Sequence, residues 1–522
     1  MLLGFTCRDN KTSASIRDYL SSKGQIFAQR EVTIEGQVYQ RMLIKSGPSN
    51  VRYQVNAIQA VQASQNQTTA INILDINGIP FDPSFEDDYI RSYEVLVFDW
   101  QTISIRQNPS RRGNKPKHID EGQFKKGAEM AKRALYVLGL DYGMVTVAVT
   151  ARKRLHVINV DSSPLIRERD LSVVLRKLDN LIDLANHPGD REVRLGADPE
   201  FMLYNIKNGN MTPASQFFPR DGVVGCDALR TPNRQSRPIA ELRPRPAYSP
   251  RRLLANLEDA MQTAYRLAPY KNIKWLAGSR PFQGYSIGGH IHFSNVELNN
   301  HILRALDNYL ELPLFLLENQ ATAVKRRLKY GYLADFRIKD YGGFEYRTPA
   351  SWLVSPQIAA AVLCLAKVVA SNYLYLTRNL FLSPEAQRAF YEGNQEHLRL
   401  MFHDIWSDIK KLEMFQVYAQ ELQIIEDMVN SGTSWDEKED IRRSWGLTRV
   451  GVKKNELLLL EIPGEEELPI YEYTAPSYSR RSRGIFHDRT IPLGINYWNR
   501  NDRNNNQYDS GPVYINTHNH FY

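Results

Sequence analysis

The sequence predicts an α+β protein, and three observations lead there. Strand-like and helix-like runs alternate through the first 190 residues. From about 191 to 353, short β-type segments carry charged side chains two positions apart. From about 355 to 462 the pattern turns helical. At 522 residues the chain is too long for one core, and roughly three domains are expected. The composition shifts place them at 1–190 (an α+β domain), 191–355 (the chemistry-bearing core) and 356–465 (a helical region completing that core). A polar, loosely ordered tail is expected over 466–522.

Each element has its own signal. YEVLVFDWQTISIRQ (93–107) is rich in β-branched and aromatic residues, as is MVTVAVTARKRLHVINV (144–160), which reads as a hairpin around Ala151-Arg152-Lys153. Between them RRGNKPKH (111–118) is a basic loop, and 121–139 has helical spacing with Gly139 as its C-cap. Arg251–Ala268 and Leu298–Tyr330 read as amphipathic helices. Ser355-Pro356 starts a helix whose apolar stretch, Ile358 to Ala370, contains Lys367 and is too short for a bilayer, so a buried helix is expected. Further on, Leu398, Met401, Phe402, Ile405, Trp406, Ile409 and Leu412 trace a core stripe at 3.6 spacing.

Composition narrows the class. Hydrophobic residues at 42% and charged residues at 24% exclude a mostly disordered chain, and scattered Gly 30 and Pro 26 exclude a collagen-like one. A net charge of +8 favours a polyanionic partner without choosing among nucleic acid, nucleotide and phosphorylated substrate. Cys7, Cys226 and Cys364 form no CxxC, which points away from a disulfide scaffold or zinc knuckle and toward a reducing, cytoplasmic setting. The N-terminus shows no secretory signal, so a soluble protein is expected, with no membrane partner.

Four segments share one geometric property. Asp198 and Glu200 in LGADPEFML, Glu241 and Arg243 in IAELR, His290 and His292 in GGHIHF, and Glu345 and Arg347 in FEYR are each two residues apart. On strands, period two puts each pair on one face. Asp227, in GVVGCDALR, is a fifth acidic candidate. Any one of these pairs is more commonly a turn, a solvated pair or a surface ion pair. Four in one region, flanked by apolar residues, are harder to explain so. Clustered buried carboxylates need cations, and oxygen-rich ligands with an imidazole suit Mg²⁺ or Mn²⁺. Arginine forks suit phosphate. The residues alone give a metal–nucleotide site on a sheet and leave the acceptor unnamed.

In this order the motifs resemble the glutamine synthetase-like amidoligases, most closely the phage-type carboxylate–amine ligases. GADPEF (196–201) is similar to that group's opening strand, SIGGHIHFS (286–294) to its histidine strand, and GGFEYRTPASWL (342–353) to its closing acid–arginine strand. The resemblance implies a glutamine synthetase-like antiparallel sheet with flanking helices. It implies ATP and Mg²⁺ (or Mn²⁺) as cofactors, with two or more ions. Asp198, Glu200, Glu241, His290, Glu345 and Asp227 are the implied metal ligands. His292 is implied near the nucleotide, and Arg347 as a phosphate contact. Arg243 would stabilise growing negative charge. AVKRRLKYGYLADFR (323–337) adds Arg327 and Arg337 as contacts to phosphate or substrate. The implied reaction joins a small-molecule or peptide carboxylate to an amine through an acyl phosphate. Asp198 stands where glutamate is usual in glutamine synthetases.

The first 165 residues resemble pieces of an ATP-grasp domain, with two departures. The stretch from Pro80 to Tyr93 is too short for that family's central subdomain, and its Glu-x-Asn metal pair reads Asn159-x-Asp161 here. A degenerate, truncated domain that docks a substrate or partner is expected, with a plain structural α+β domain as the equal alternative. The rival reading is a non-catalytic phage structural or nucleic-acid-associated protein that uses SYSRRSRG and NRNDRNNN to bind single strands. It is the less favoured of the two, and the oligomeric state is left open.

Overall fold

The computed structural model describes residues 1–83, 89–109, 116–189, 192–282 and 284–448. The expected tail at 466–522, the end of the helical region and most of the 111–118 loop lie outside them. Three sheets organise the described chain. Near the N-terminus, Leu2–Arg8, Gln25–Ile34, Gln37–Lys45 and Arg52–Val55 form a four-stranded sheet. A five-stranded antiparallel sheet follows, in the order Lys117–Ile119, Gln101–Gln107, Tyr89–Phe98, Tyr142–Thr150, Leu155–Asp161. The third and largest sheet has eight strands and carries the residues singled out above.

The expected hairpin over 144–160 forms, and the strand-rich 93–107 run folds as a second one. Tyr89–Phe98 turns into Gln101–Gln107 through Asp99 and Trp100, both at positive φ (51° and 61°), which matches the right-handed twist of the strands. These are costly angles for non-glycine residues. Here they are held, because the Asp99 carboxylate accepts from the Asn300 N–H and its own N–H donates to the Asp141 carbonyl. The helix between the hairpins spans Lys125–Val137, preceded by a 3₁₀ turn at Glu121–Phe124. Gly139, at φ 78°, lies one residue past the cap. Its N–H donates to Tyr136 and that of Leu140 to Leu135, which closes the helix end.

The largest sheet runs Val224–Cys226, Ile239–Leu242, Arg194–Asn205, Gly289–Ser294, Phe344–Tyr346, Phe336–Ile338, all antiparallel. Asn210–Thr212 and Ile273–Leu276 pair with the far half of the Arg194–Asn205 strand. Helix Pro250–Leu267, capped by Ser249, buries Leu253, Leu254, Leu257 and Met261. The core stripe is also seen: Leu398, Phe402, Ile405, Trp406 and Ile409 are buried on helix Gln395–Lys410, with Met401 and Leu412 partly covered.

Two expectations need correction. Leu298–Tyr330 is not one helix but Asn300–Ala305, a π-helical stretch Leu306–Glu311, Leu312–Phe315 and, after a break, Gln320–Arg327. The apolar spacing persists through the break, but Asn319 caps a new helix there by accepting from Thr322. The Ser355-capped helix spans Pro356–Asn372 and is longer than its apolar stretch suggests. With the turn that follows, Pro356–Tyr375 is long and apolar enough to cross a membrane, yet 78% of the most apolar window is buried inside the fold. Lys367 is buried with it and donates to the Val193 carbonyl at 2.6 Å. Cys7, Cys226 and Cys364 are all buried and free.

Candidate active site

Strand register assembles the site. Asp198 stands directly opposite His290, His292 opposite Glu345, Glu345 opposite Arg337, and Glu200 opposite Glu241. Cross-strand partners share a face, so one face of the sheet gathers four carboxylates and two imidazoles. His290 Nδ1 lies 3.3 Å from both Asp198 Oδ1 and Glu345 Oε1, and His292 Nε2 lies 3.0 Å from Asp198 Oδ2. Asp198, His292 and Glu345 each offer an atom within 4.8 Å of the others. Gly288 keeps this corner open, because a Cβ there would sit 2.3 Å from His290 Nε2.

The face is electrically divided. Burial opposes ionisation of Asp198, but His290 and His292 outweigh it and hold the carboxyl well below its usual range. Glu345 is likewise lowered: burial and Asp198 push it up, while His290 and Lys339 overcome them. On the other side no cation offsets the crowding enough. Burial, then Asp227 and Glu241, push Glu200 well up, although Gly288 N–H donates to its Oε2 at 2.7 Å. Burial and Asp198 push Glu241 up to about 8, against the pull of Arg243.

Residues 195–447 match the family model of the phage phiEco32-like COOH·NH2 ligases, type 2. Over this stretch the likeness to the phage carboxylate–amine ligases is shown. No curated protein matches the chain. Among solved structures, it is similar to the ATP-grasp ligase PsnB complexed with minimal precursor, at 13% identity and a TM-score of 0.21, over 25% of this chain and 65% of that one. It is also similar to a bifunctional glutathione synthetase from Pasteurella multocida, at 11% identity and a TM-score of 0.30, over 49% of this chain and 51% of that one. The chain thus spans less than two thirds of either.

The arginines of the ligase-like region separate into two groups. Arg347 Nε lies 3.0 Å from Glu345, with Asp335 3.8 Å from its NH1, and Arg337 NH1 lies 3.7 Å from Glu345. Both guanidinium groups belong to the site. Arg243 is tied down: it reaches Glu241 at 2.5 Å and donates to the carbonyls of Arg220, Gly222 and Cys226. It therefore positions Glu241 and the Val224–Cys226 strand. Arg327 does not join the site. It is 4% exposed, paired with Glu311 and Glu318, and stacked on Phe315 and Phe390. Asp227 is half-buried beside Glu200 and Glu241, with its Oδ1 accepting from Leu229 N–H. In the N-terminal region, Asp161 is engaged by Arg8 at 2.6 Å and by Ser163 N–H.

Two site residues escaped sequence reasoning. Lys339 Nζ lies 2.5 Å from Glu345 Oε2, and the Tyr341 hydroxyl 2.8 Å from His292 Nδ1. Lys339 continues the period-two pattern from Arg337, which was a readable signal. Tyr341 sits in the turn beyond it and had none.

The donor set fits a hard divalent cation. Asp198, Glu345 and His292 offer two carboxylates and an imidazole whose ligand atoms lie within 4.8 Å of one another. Carboxylate oxygens with an imidazole are the ligands Mg²⁺ or Mn²⁺ would take.

Proposed function

We propose that this protein is an ATP- and Mg²⁺-dependent carboxylate–amine ligase working through an acyl phosphate. One observation carries the reading: Asp198, Glu200, Glu241, His290, His292 and Glu345 converge on a single sheet face. Asp198, His292 and Glu345, with His290 beside them, would hold one cation, and Glu200, Glu241 and Asp227 another. When bound, the cations would neutralise phosphate charge and orient the reacting oxygens.

The chain's own residues do the rest. Arg347, Arg337 and Lys339 surround Glu345 with positive charge, and they would cradle the phosphoryl oxygens as negative charge grows on them. Arg243 holds Glu241 in place. Tyr341 fixes the His292 ring so that Nε2 faces Asp198. In the reaction, a substrate carboxylate oxygen bonds to the γ-phosphorus and ADP leaves. The amine nitrogen then bonds to the acyl carbon, releasing phosphate and one proton.

The test incubates the protein with ATP, Mg²⁺ and a metabolite extract, and seeks condensation products accompanied by ADP by mass spectrometry. Glu200→Ala and His290→Ala should each abolish turnover while leaving the fold intact. Full activity in both variants would remove the basis for this site assignment.

A further inference from the structure

A groove of about 830 Å³ runs along the open edge of the eight-stranded sheet, between the Phe336–Ile338 strand and helix Lys125–Val137. Register decides which backbone groups face it. Lys339 N–H donates to the Gly343 carbonyl, and Arg347 N–H to that of Asp335. Residues 335, 337 and 339 therefore turn their backbone groups inward, toward the Glu345 strand. Antiparallel pairing alternates along a strand, so the N–H and C=O groups of Phe336 and Ile338 point outward. Among the described residues no backbone partner meets them.

Such an edge is a template for one more extended strand. Its surroundings suit a polypeptide. Ile338 is 69% exposed, and Phe336 packs edge-on against Trp100, ring centroids 4.8 Å apart. Lys125 and Arg133 stand on the facing helix. Arg337 lines the groove and its NH1 lies 3.7 Å from Glu345, so this one side chain links the groove to the acidic face. A cavity of this size holds a ligand well beyond a single amino acid.

We propose that the groove binds an extended polypeptide segment, which adds as a strand to Phe336 and Ile338 and presents its carboxylate toward Arg337 and the acidic face. The inference rests on the ligase reading and names its substrate class. The probe is a fluorescein-labelled Val-Thr-Val-Thr-Glu peptide with a free C-terminus, followed by anisotropy on the full-length protein. Ile338→Pro removes an outward N–H that the sheet does not use, at an edge position where proline is tolerated. It should weaken binding about fivefold, the worth of one net hydrogen bond, without moving the urea midpoint.

A second measurement does not depend on that variant folding. Peptides N-methylated at successive amides should lose binding to the wild-type protein at alternate positions only. Absence of saturable binding, or equal effects at every amide, would overturn the groove assignment, as would normal binding by a folded Ile338→Pro variant. Glu200→Ala should bind the peptide normally while losing turnover, so failure of the ligase reading registers in a separate arm.

Discussion

Replacing Arg326 with methionine should destabilise the fold by about 3–5 kcal/mol. The guanidinium is 2% exposed. It donates to four carbonyls: Ile287 at 2.9 Å, Thr348 at 2.6 Å, Arg347 at 3.0 Å and Pro349 at 2.8 Å. Ile287 leads into the histidine strand and Thr348 follows the Glu345 strand, so one side chain ties together the chain ends that deliver His290 and Glu345. Each buried acceptor left unmet costs about 1 kcal/mol or more. Removing the buried charge returns part of that total, which gives the net figure. Lysine, with a single nitrogen, cannot span the four acceptors and should fall between methionine and wild type. Urea unfolding followed by tryptophan fluorescence reads the loss, and Mn²⁺ affinity should fall with it. A methionine variant within about 1 kcal/mol of wild type would refute the bracing role.

Glu241 is held up to about 8 in the folded chain against an ordinary value of 4.5. Its contribution to stability is therefore fully present below 4.5 and is lost as pH rises toward 8. In chelator the thermal midpoint should fall between pH 5 and 8, Glu241→Gln should flatten that fall, and Mn²⁺ should reverse it more at pH 8 than at pH 5.5. A midpoint in chelator that is level across this range would contradict the charge crowding. Gly225→Ala places a Cβ 2.0 Å from Arg243 NH1 and 2.6 Å from the Arg220 carbonyl. It should displace Arg243 from Glu241, weaken Mn²⁺ binding about tenfold and cost about 1–3 kcal/mol. Isothermal titration alongside urea unfolding checks both, and wild-type affinity would show that Arg243 does not position Glu241.

The site was legible where its logic is local. Alternation along a strand is a property of the strand itself, so Asp198 with Glu200, His290 with His292, and Glu345 with Arg347 could be set on one face from spacing alone. Which strands lie side by side is a property of the whole sheet and became visible only in its register. Burial is not local, and there the reading failed. Arg326 and Arg327 look alike in sequence, yet both are consumed inside the protein, one by carbonyls and the other by Glu311 and Glu318. Tyr341 gains its role only when the hairpin closes over His292. The break after Phe315 is set by the Asn319 cap and by Glu318 reaching Ala350 and Arg327, none of which disturbs the apolar spacing.

The electrical division of the sheet face has a consequence for how the protein loads. Asp198 and Glu345 are already anionic near neutrality, so an ion arriving there displaces no carboxyl proton. Glu200 and Glu241 hold theirs, so an ion arriving at that side must evict them into the solvent. Occupancy should therefore be stepwise, with carboxyl protons released by the second equivalent, which tightens as pH rises. Pro199, lying between Asp198 and Glu200, marks the boundary between a half that is ready at rest and a half that waits for alkali.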